Sequence, residues 1–317
     1  MLTSGKRCTG VAYLQNGVIK EIHAEREVIV ASGAVGSPHL LQVSGIGPAA
    51  HLQSIGVDVV HDLSGVGNNL SDHYVVRIVH QMRDLITINE LQRGLRKIRE
   101  IIKFFVAGRG ALTFGVTTAQ VYCHSREGLV SPDLQLLFTP ASYVIGKFLK
   151  FEDHPGVLAA VCPTRPSSRG TIMAQSADPL TYPVIRPNYL SDPDDIRVTI
   201  AGFRHARRIF GTSAFARHNV AETQPGTEVD TDDEIEHFAR TEGSPLYHPV
   251  GTCKMGTDPQ AVVDPRLKVI GMTGLRVVDA SVMPYTTTGN TNAPTIMIAE
   301  KGAAMIQEDA RRTSNSL

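Results

Sequence analysis

The sequence predicts a mixed fold class: an α/β portion built from the two ends of the chain and an α+β portion between them, with a mainly antiparallel sheet flanked by helices. Three stretches carry this expectation. The β-branched run EVIVA (27–31) stops at Ser32-Gly33-Ala34 and gives way to an apolar-periodic stretch through Leu41, the strand, tight turn and helix of a parallel-sheet unit. LRVVDAS (275–281) reads as a buried strand, followed by a loop and a helix. Between about 72 and 220, strand-like segments alternate with two convincing helices, which suggests a sheet with helices packed on it.

The elements follow in order. The first ten residues carry no strand or cap signal, but GVAYLQNGVIKEI (10–22) reads as two strands around Asn16-Gly17, a good hairpin turn between alternating apolar residues. The helix after Gly33 is short, because Ser44-Gly45-Ile46-Gly47-Pro48 breaks it. A second short helix at HLQSIGV leads to a strand expected at Val57–Val60. In the middle portion HYVVRIVHQM, DLQLLFTP, GVLAAVCPT and GTIMAQS read as strands, with helices near 90–107 and 193–211. The acidic run in TDDEIEHFAR reads as a solvated loop running into a capped helix. In the last helix Pro294 occupies the first turn, where proline is favoured, and Ile296, Ala299, Gly302 or Ala303, and Ile306 share one face.

Composition narrows the function classes. Among 317 residues, 31 basic side chains balance 31 acidic ones, and no basic tract with interleaved aromatics offers a footprint for nucleic acid. No apolar window of about eighteen residues suggests a membrane span, and MLTSGKRCTGV lacks the apolar core of a secretion signal, so the default address is cytoplasmic, with peripheral membrane association left open. Cys8, Cys123, Cys162 and Cys253 are scattered without CxxC spacing, which argues for free thiols rather than disulfides or a metal site.

Three features are candidates for chemistry. In LYHPVGTCKMG (246–256), His248 has the residue type of a proton acceptor and neighbours that hold a backbone in a tight shape. An isolated loop histidine is more often structural. GNTNAP (289–294) places Asn290 and Asn292 just before a helix; an amide donates hydrogen bonds to a developing alkoxide, and the helix's free N–H groups favour negative charge. The same loop also suits a turn with a helix cap. Asp279, at the end of LRVVD and beside the small Ala280, stands either where a cofactor backbone approaches or at a cap. GxGxxG after a strand does not occur, and GRGALTFG (108–115) has the wrong spacing. GxxxxGK[ST], GxSxG and HExxH are also absent, which leaves hydrolase readings little support.

Taken together, GAVGSPHLLQVSGIGP (33–48), LYHPVGTCKMG, AVVDPRLKVIGMTGLRVVDASVMP and GNTNAPTIMIAEKGAAMI resemble the glucose–methanol–choline (GMC) family of flavin-dependent oxidoreductases, in that family's order and spacing. RPSSRGTIMAQSADPLTYPVIRPNYLSDPDD (165–195) is similar to its substrate-domain segment. The wording is closest to the choline and alcohol dehydrogenase branch. The resemblance implies FAD as cofactor and an alcohol as substrate, and leaves the electron acceptor open between oxygen and a quinone. By the same resemblance, His248 accepts the hydroxyl proton while hydride passes to the flavin, and Asn292 holds the substrate oxygen. Asp279 and Ala280 are implied near the ribityl and pyrophosphate part of FAD, and Asn290, Thr291 and Asn292 beside the ring. Ala31, Ser32 and Gly33 are implied at the adenosine half.

Family members open with a GxGxxG unit that this sequence lacks, so the chain resembles their C-terminal portion. The expected division is an incomplete, Rossmann-like FAD-binding domain at 1–71, a substrate-binding domain at 72–240 and a return to the FAD-binding domain at 241–317. Weak FAD binding by 1–317 alone, or none, is the corresponding expectation. The alternatives are a chain that keeps the motifs without activity and, further off, a hydroxynitrile lyase of the same family.

Overall fold

The computed structural model describes residues 1–115, 117–144 and 150–314. They gather into two compact units: Met1–His73 with Arg165–Ser191 and Tyr247–Leu317, and Tyr74–Thr164 with Asp192–Leu246. The segment 165–191, expected in the middle portion, groups with the chain's two ends.

The chain starts with β1 (Leu2–Ser4), β2 (Arg7–Gln15) and β3 (Val18–His23), an antiparallel sheet in that order. Asn16 and Gly17 make the β2–β3 turn with φ of 52° and 78°, the paired positive values that a two-residue hairpin turn with the sheet's twist demands. β4 (Val28–Val30) leads into α1 (Gly33–Gln42), and Gly33 takes φ 77° at the junction. β5 (Ile46–Gly47), α2 (Ala49–Ser54) and β6 (His61–Asp62) come next, with β5 and β6 parallel. The strand expected at Val57–Val60 thus forms a step later: the Gly45 carbonyl accepts both Val60 N and His61 N, which sets the start of pairing.

β7 (Tyr74–Met82) begins the second unit. The helix expected near 90–107 is two pieces, α3 (Ile88–Leu91), with a Thr87/Glu90 capping box, and α4 (Gly94–Ala107). β8 (Ala119–Cys123), β9 (Leu134–Thr139) and β10 (Gly156–Pro163) are the strands that follow. Among the described residues β11 (Thr171–Met173) and β12 (Val184–Arg186) form a sheet only with each other, and they belong to the first unit, where Ile172 N donates to Gly67 O and its carbonyl accepts from the Gln42 amide. These bonds explain why GTIMAQS does not join the middle sheet.

Back in the second unit, α5 (Pro193–Phe210) is capped by Asp192, whose carboxylate accepts from Asp194 N. Gly202 permits close packing of α5 on the sheet, since a Cβ there would lie 2.5 Å from Leu134 and Val161 carbons. α6 (Ser213–Ala216), β13 (Asn219–Gln224), α7 (Asp232–Glu242) and β14 (Ser244–Pro245) complete the unit, and the sheet runs β13-β7-β10-β9-β8, antiparallel throughout, with β14 on β7. A Thr231/Glu234 capping box starts α7, as its sequence suggested.

β15 (Leu275–Val277) pairs in parallel with β4, and α8 (Asn292–Ser314) closes the first unit. The core here joins Val30, Leu41, Ile46, Val263, Leu275, Val277 and Val282. α8 keeps part of the expected face: Gly302 is buried against Val278 and Ile306 is half-buried, whereas Ile296 and Ala299 are exposed and Ile298 packs on the core. At the far end of the helix Asp309 pairs with Arg276 at 2.6 Å.

Candidate active site

All of the site lies in the first unit, and its geometry starts with strain. Tyr247 takes φ 61°, uncommon for a non-glycine residue, and Gly251 takes φ 92°, where a Cβ would lie 2.4 Å from Asn69 O. Between them, Val250 exchanges two backbone hydrogen bonds with Ser71, at 2.9 and 3.0 Å. This pins the HPVG turn against Leu70–His73. The Asn69 amide fastens the turn further by donating to Gly251 O and Pro284 O at 3.2 and 3.0 Å.

A second clamp follows from Pro38. Proline in the body of α1 has no N–H for the carbonyl of Ala34. The Thr252 hydroxyl donates to that carbonyl instead, at 2.6 Å and fully buried. The two motifs GAVGSP and HPVGTC are therefore joined by one hydrogen bond. Cys253, beside Thr252, donates its N–H to Ser281 O, and burial pushes its thiol well above the usual range, so it is inert as a nucleophile.

His248 sits in this frame with its ring bonded at both nitrogens. Nδ1 meets His73 Nδ1 at 2.9 Å, with the rings edge to face, and Nε2 meets the Asn290 amide nitrogen at 3.1 Å. An amide NH₂ can only donate, so Nε2 holds a lone pair and Nδ1–H donates to His73. Its backbone N–H donates to Asp72 Oδ1 at 2.7 Å, while the Tyr189 hydroxyl donates to Asp72 Oδ2 at 2.7 Å. Burial pushes the Asp72 carboxyl above its ordinary range, opposed by these hydrogen bonds. For His248, burial and then the neighbouring His73 lower the pKa to about 4, so the imidazole is neutral at ordinary pH. The arrangement presents a neutral ring, in one tautomer, with its basic nitrogen toward an amide donor.

The other expected residues fall in two places. At the carboxyl ends of the parallel strands, Asp279 Oδ2 accepts from Gly33 N at 3.0 Å and from the Ser37 hydroxyl at 2.5 Å, and Oδ1 accepts from Ser281 N at 2.8 Å. Asp279 thus caps the 3-10 turn Ala280–Val282 and ties the β4–α1 turn to the end of β15. Ala31 and Ser32 are exposed beside it, and Gly33 and Ala280 half-buried. At the start of α8, Thr291 is buried with its carbonyl accepting from both the N–H and the hydroxyl of Thr295, and Asn292 is exposed as the first helical residue. Asn290, not Asn292, is the residue brought to the imidazole.

Asp72, His73 and Tyr189 were not singled out from the sequence. His73 and Asp72 stand at the start of an apolar strand run, and Tyr189 in a turn, with no spacing that links them to His248 across 175 positions. The Ser71–Val250 pairing sets Asp72 and His73 beside His248, and the Tyr189 hydroxyl joins them through Asp72.

Comparison with known proteins fits this geometry. A GMC oxidoreductase family model matches residues 166–299, and a second, N-terminal GMC oxidoreductase model matches 1–75. The chain is 42% identical over 314 residues to oxygen-dependent choline dehydrogenase of Brucella melitensis, covering 96% of this chain and 56% of that protein. It is 40% identical over 312 residues to alcohol dehydrogenase [acceptor] of Pseudomonas putida, with 96% and 56% covered. Identity to mitochondrial choline dehydrogenase of Homo sapiens is 41% over 311 residues, with 97% and 52% covered. The chain spans a little over half the length of these relatives. Among solved structures, a formate oxidase of Aspergillus oryzae RIB40 described for modification of its FAD is similar, with a TM-score of 0.90 at 26% identity over 97% of this chain and 58% of that one. Pyridoxine 4-oxidase from Mesorbium loti is similar with a TM-score of 0.83 at 26% identity, over 96% and 56%. Family blocks at both ends, relatives matched over nearly the whole chain and a shared fold place this chain in the GMC oxidoreductase family.

Proposed function

We propose that this chain carries the proton-accepting half of an FAD-dependent alcohol dehydrogenase, one that oxidises a primary alcohol to an aldehyde with His248 as the base. The observation that carries the reading is the neutral His248 ring with its Nε2 lone pair directed at an amide and its Nδ1–H held by His73. FAD is the cofactor of the family, and when bound it supplies the acceptor for the hydride that leaves the carbinol carbon.

The residues present fit that cofactor. Ala31, Ser32, Gly33 and Ala280 expose backbone at the carboxyl ends of two parallel strands, where a nucleotide approaches without meeting large side chains. Asp279 holds that cradle closed from within. Asn290, Thr291 and Asn292 bring the chain to the N-terminus of a 23-residue helix, whose free N–H groups and dipole favour the negative charge of a reduced flavin.

An alcohol hydroxyl set against Nε2 gives up its proton to that nitrogen. Nδ1–H remains on His73, so the imidazolium keeps its ring plane. The Asn292 amide then donates to the substrate oxygen as negative charge develops there, and Asn290 orients Nε2 before substrate arrives. For the substrate, choline and simple primary alcohols follow from the names of the relatives, and the electron acceptor is oxygen or a quinone. The test is aldehyde formation from choline and from short primary alcohols by the flavin-loaded protein, with oxygen uptake or reduction of a quinone dye as readout. Aldehyde with either acceptor supports the reading; no turnover with any alcohol at full flavin occupancy removes it.

A further inference from the structure

Unlike α5 and α7, each of which buries an apolar face, the helix α4 is exposed along nearly its whole length. Its sequence GLRKIREIIKFFVA buries only Glu100, and it carries Leu95, Ile98, Ile102, Phe105 and Val106 on one stripe at i, i+3, i+7, i+10 and i+11. Leu95, Phe105 and Val106 are 83%, 79% and 82% exposed. The apolar surface continues past the left-handed Gly108 onto exposed Leu112 and Phe114. A stripe of this size left in water is an interaction surface.

Charge selects the partner. Between 93 and 109 stand Arg93, Arg96, Lys97, Arg99, Lys103 and Arg109 against the single acid Glu100. Glu100 turns inward, taking up Lys103 and the Ala111 N–H, and Arg93 is spent on the carbonyls of Glu152 and Asp153. The side chains of Arg96, Lys97, Arg99 and Arg109 make no hydrogen bond or ion pair among the described residues. By helical spacing, Arg96 and Arg99 border one edge of the stripe and Lys97 the other. Two copies packed stripe to stripe would confront these cations with one another, which disfavours self-association. A convex helix with phenylalanine, leucine and isoleucine on one face and lysine and arginine along its flanks has the form that lies in a lipid interface.

We propose that α4, with Leu112 and Phe114, is a membrane-surface anchor that seats the protein on anionic phospholipid. The apolar stripe enters the boundary between headgroups and acyl chains, and the four free cations face the phosphate and carboxylate groups. This holds whichever alcohol is oxidised, because the anchor is independent of His248 and its neighbours.

The test is cosedimentation of the intact chain with vesicles of phosphatidylcholine alone and of phosphatidylcholine mixed with phosphatidylserine. The protein is expected in the pellet with the mixed vesicles only, released by high salt. Each cation replaced, as in Arg96→Gln with Lys97→Gln, is expected to cost about fivefold in partitioning, the equivalent of about 1 kcal/mol per Lys or Arg near an anionic surface. Leu95→Gln with Ile102→Gln should abolish sedimentation. As the chain has no tryptophan, Phe105→Trp adds a single reporter whose emission is expected to shift to the blue on the mixed vesicles, which reads insertion without depending on the other variants. Absence from the mixed vesicles, retention of wild-type binding by both double variants, or a blue shift produced by raising protein concentration without lipid would overturn the proposal. The last result would identify a second copy as the occupant.

Discussion

His248 shows how much of a residue's chemistry comes from what packs on it. The sequence supplies an imidazole, while burial and His73 make it neutral, and Asn290 and His73 together choose its tautomer. His248→Ala is expected to lower turnover by about 10²–10⁴-fold, the usual worth of a positioned acid–base group, with flavin retained. Asn292→Ala should cost about 3 kcal/mol of transition-state stabilisation, as for one lost oxyanion donor, without moving the acid limb of the pH profile. Asn290→Ala should move that limb upward, because its amide stabilises the neutral form of Nε2. Steady-state pH profiles of both variants separate the two asparagines. The lowered pKa also has a stability sign. The unfolded chain binds a proton near 6.5 and the folded one only near 4, so the stability that the neutral ring contributes is present above pH 6.5 and is lost as pH falls from there toward 4. Urea midpoints across that window should fall less steeply for His248→Gln than for wild type. His248 and the asparagines were legible because they sit in motif wording, whereas Asp72, His73 and Tyr189 were not, since only tertiary pairing carries them to the ring.

Elements were legible where local chemistry decides them. Asn16-Gly17 dictates its hairpin, and Thr231/Glu234 and Asp192 start their helices by capping alone. Faces and registers were less so. Ile298 takes the place expected of Ile296 on the packed side of α8, and β6 starts late because the one Gly45 carbonyl accepts from both Val60 N and His61 N. Pro38 is the most informative case: its missing N–H reads in sequence as a helix defect, but in the fold it frees the Ala34 carbonyl for Thr252. Thr252→Val keeps the volume and removes the donor, leaving a buried carbonyl unpaired. It should destabilise the protein by about 1–3 kcal/mol in urea unfolding. A midpoint unchanged within error would mean that the clamp between the two motifs is dispensable.

At the scale of the molecule, the first unit is held together by contacts between segments far apart in sequence. Arg276, only 2% exposed, bonds Glu27 at 2.7 Å, Asp309 at 2.6 Å and the Arg266 carbonyl at 2.8 Å, which joins β15 to the approach of β4 and to the end of α8. Removing one partner of such a buried network leaves uncompensated charge, so Arg276→Ala should cost about 3–5 kcal/mol and lower the melting temperature sharply. That same tie fixes β15 beside the approach to β4, its parallel partner. The α/β and α+β division was legible in the periodicity of the strands, but the return of 165–191 to the first unit was not, because it rests on Gly67, Leu70 and Gln42 accepting and donating across a hundred positions or more. The central claim, that His248 takes the hydroxyl proton, is tested most directly by the anaerobic rate of flavin bleaching when alcohol is mixed with flavin-loaded wild type and His248→Ala. The account predicts fast bleaching in the wild type and a rate at least a hundredfold lower in the variant at equal flavin content, of order 10²-fold or more for a lost general base. Bleaching at the same rate in both would contradict it.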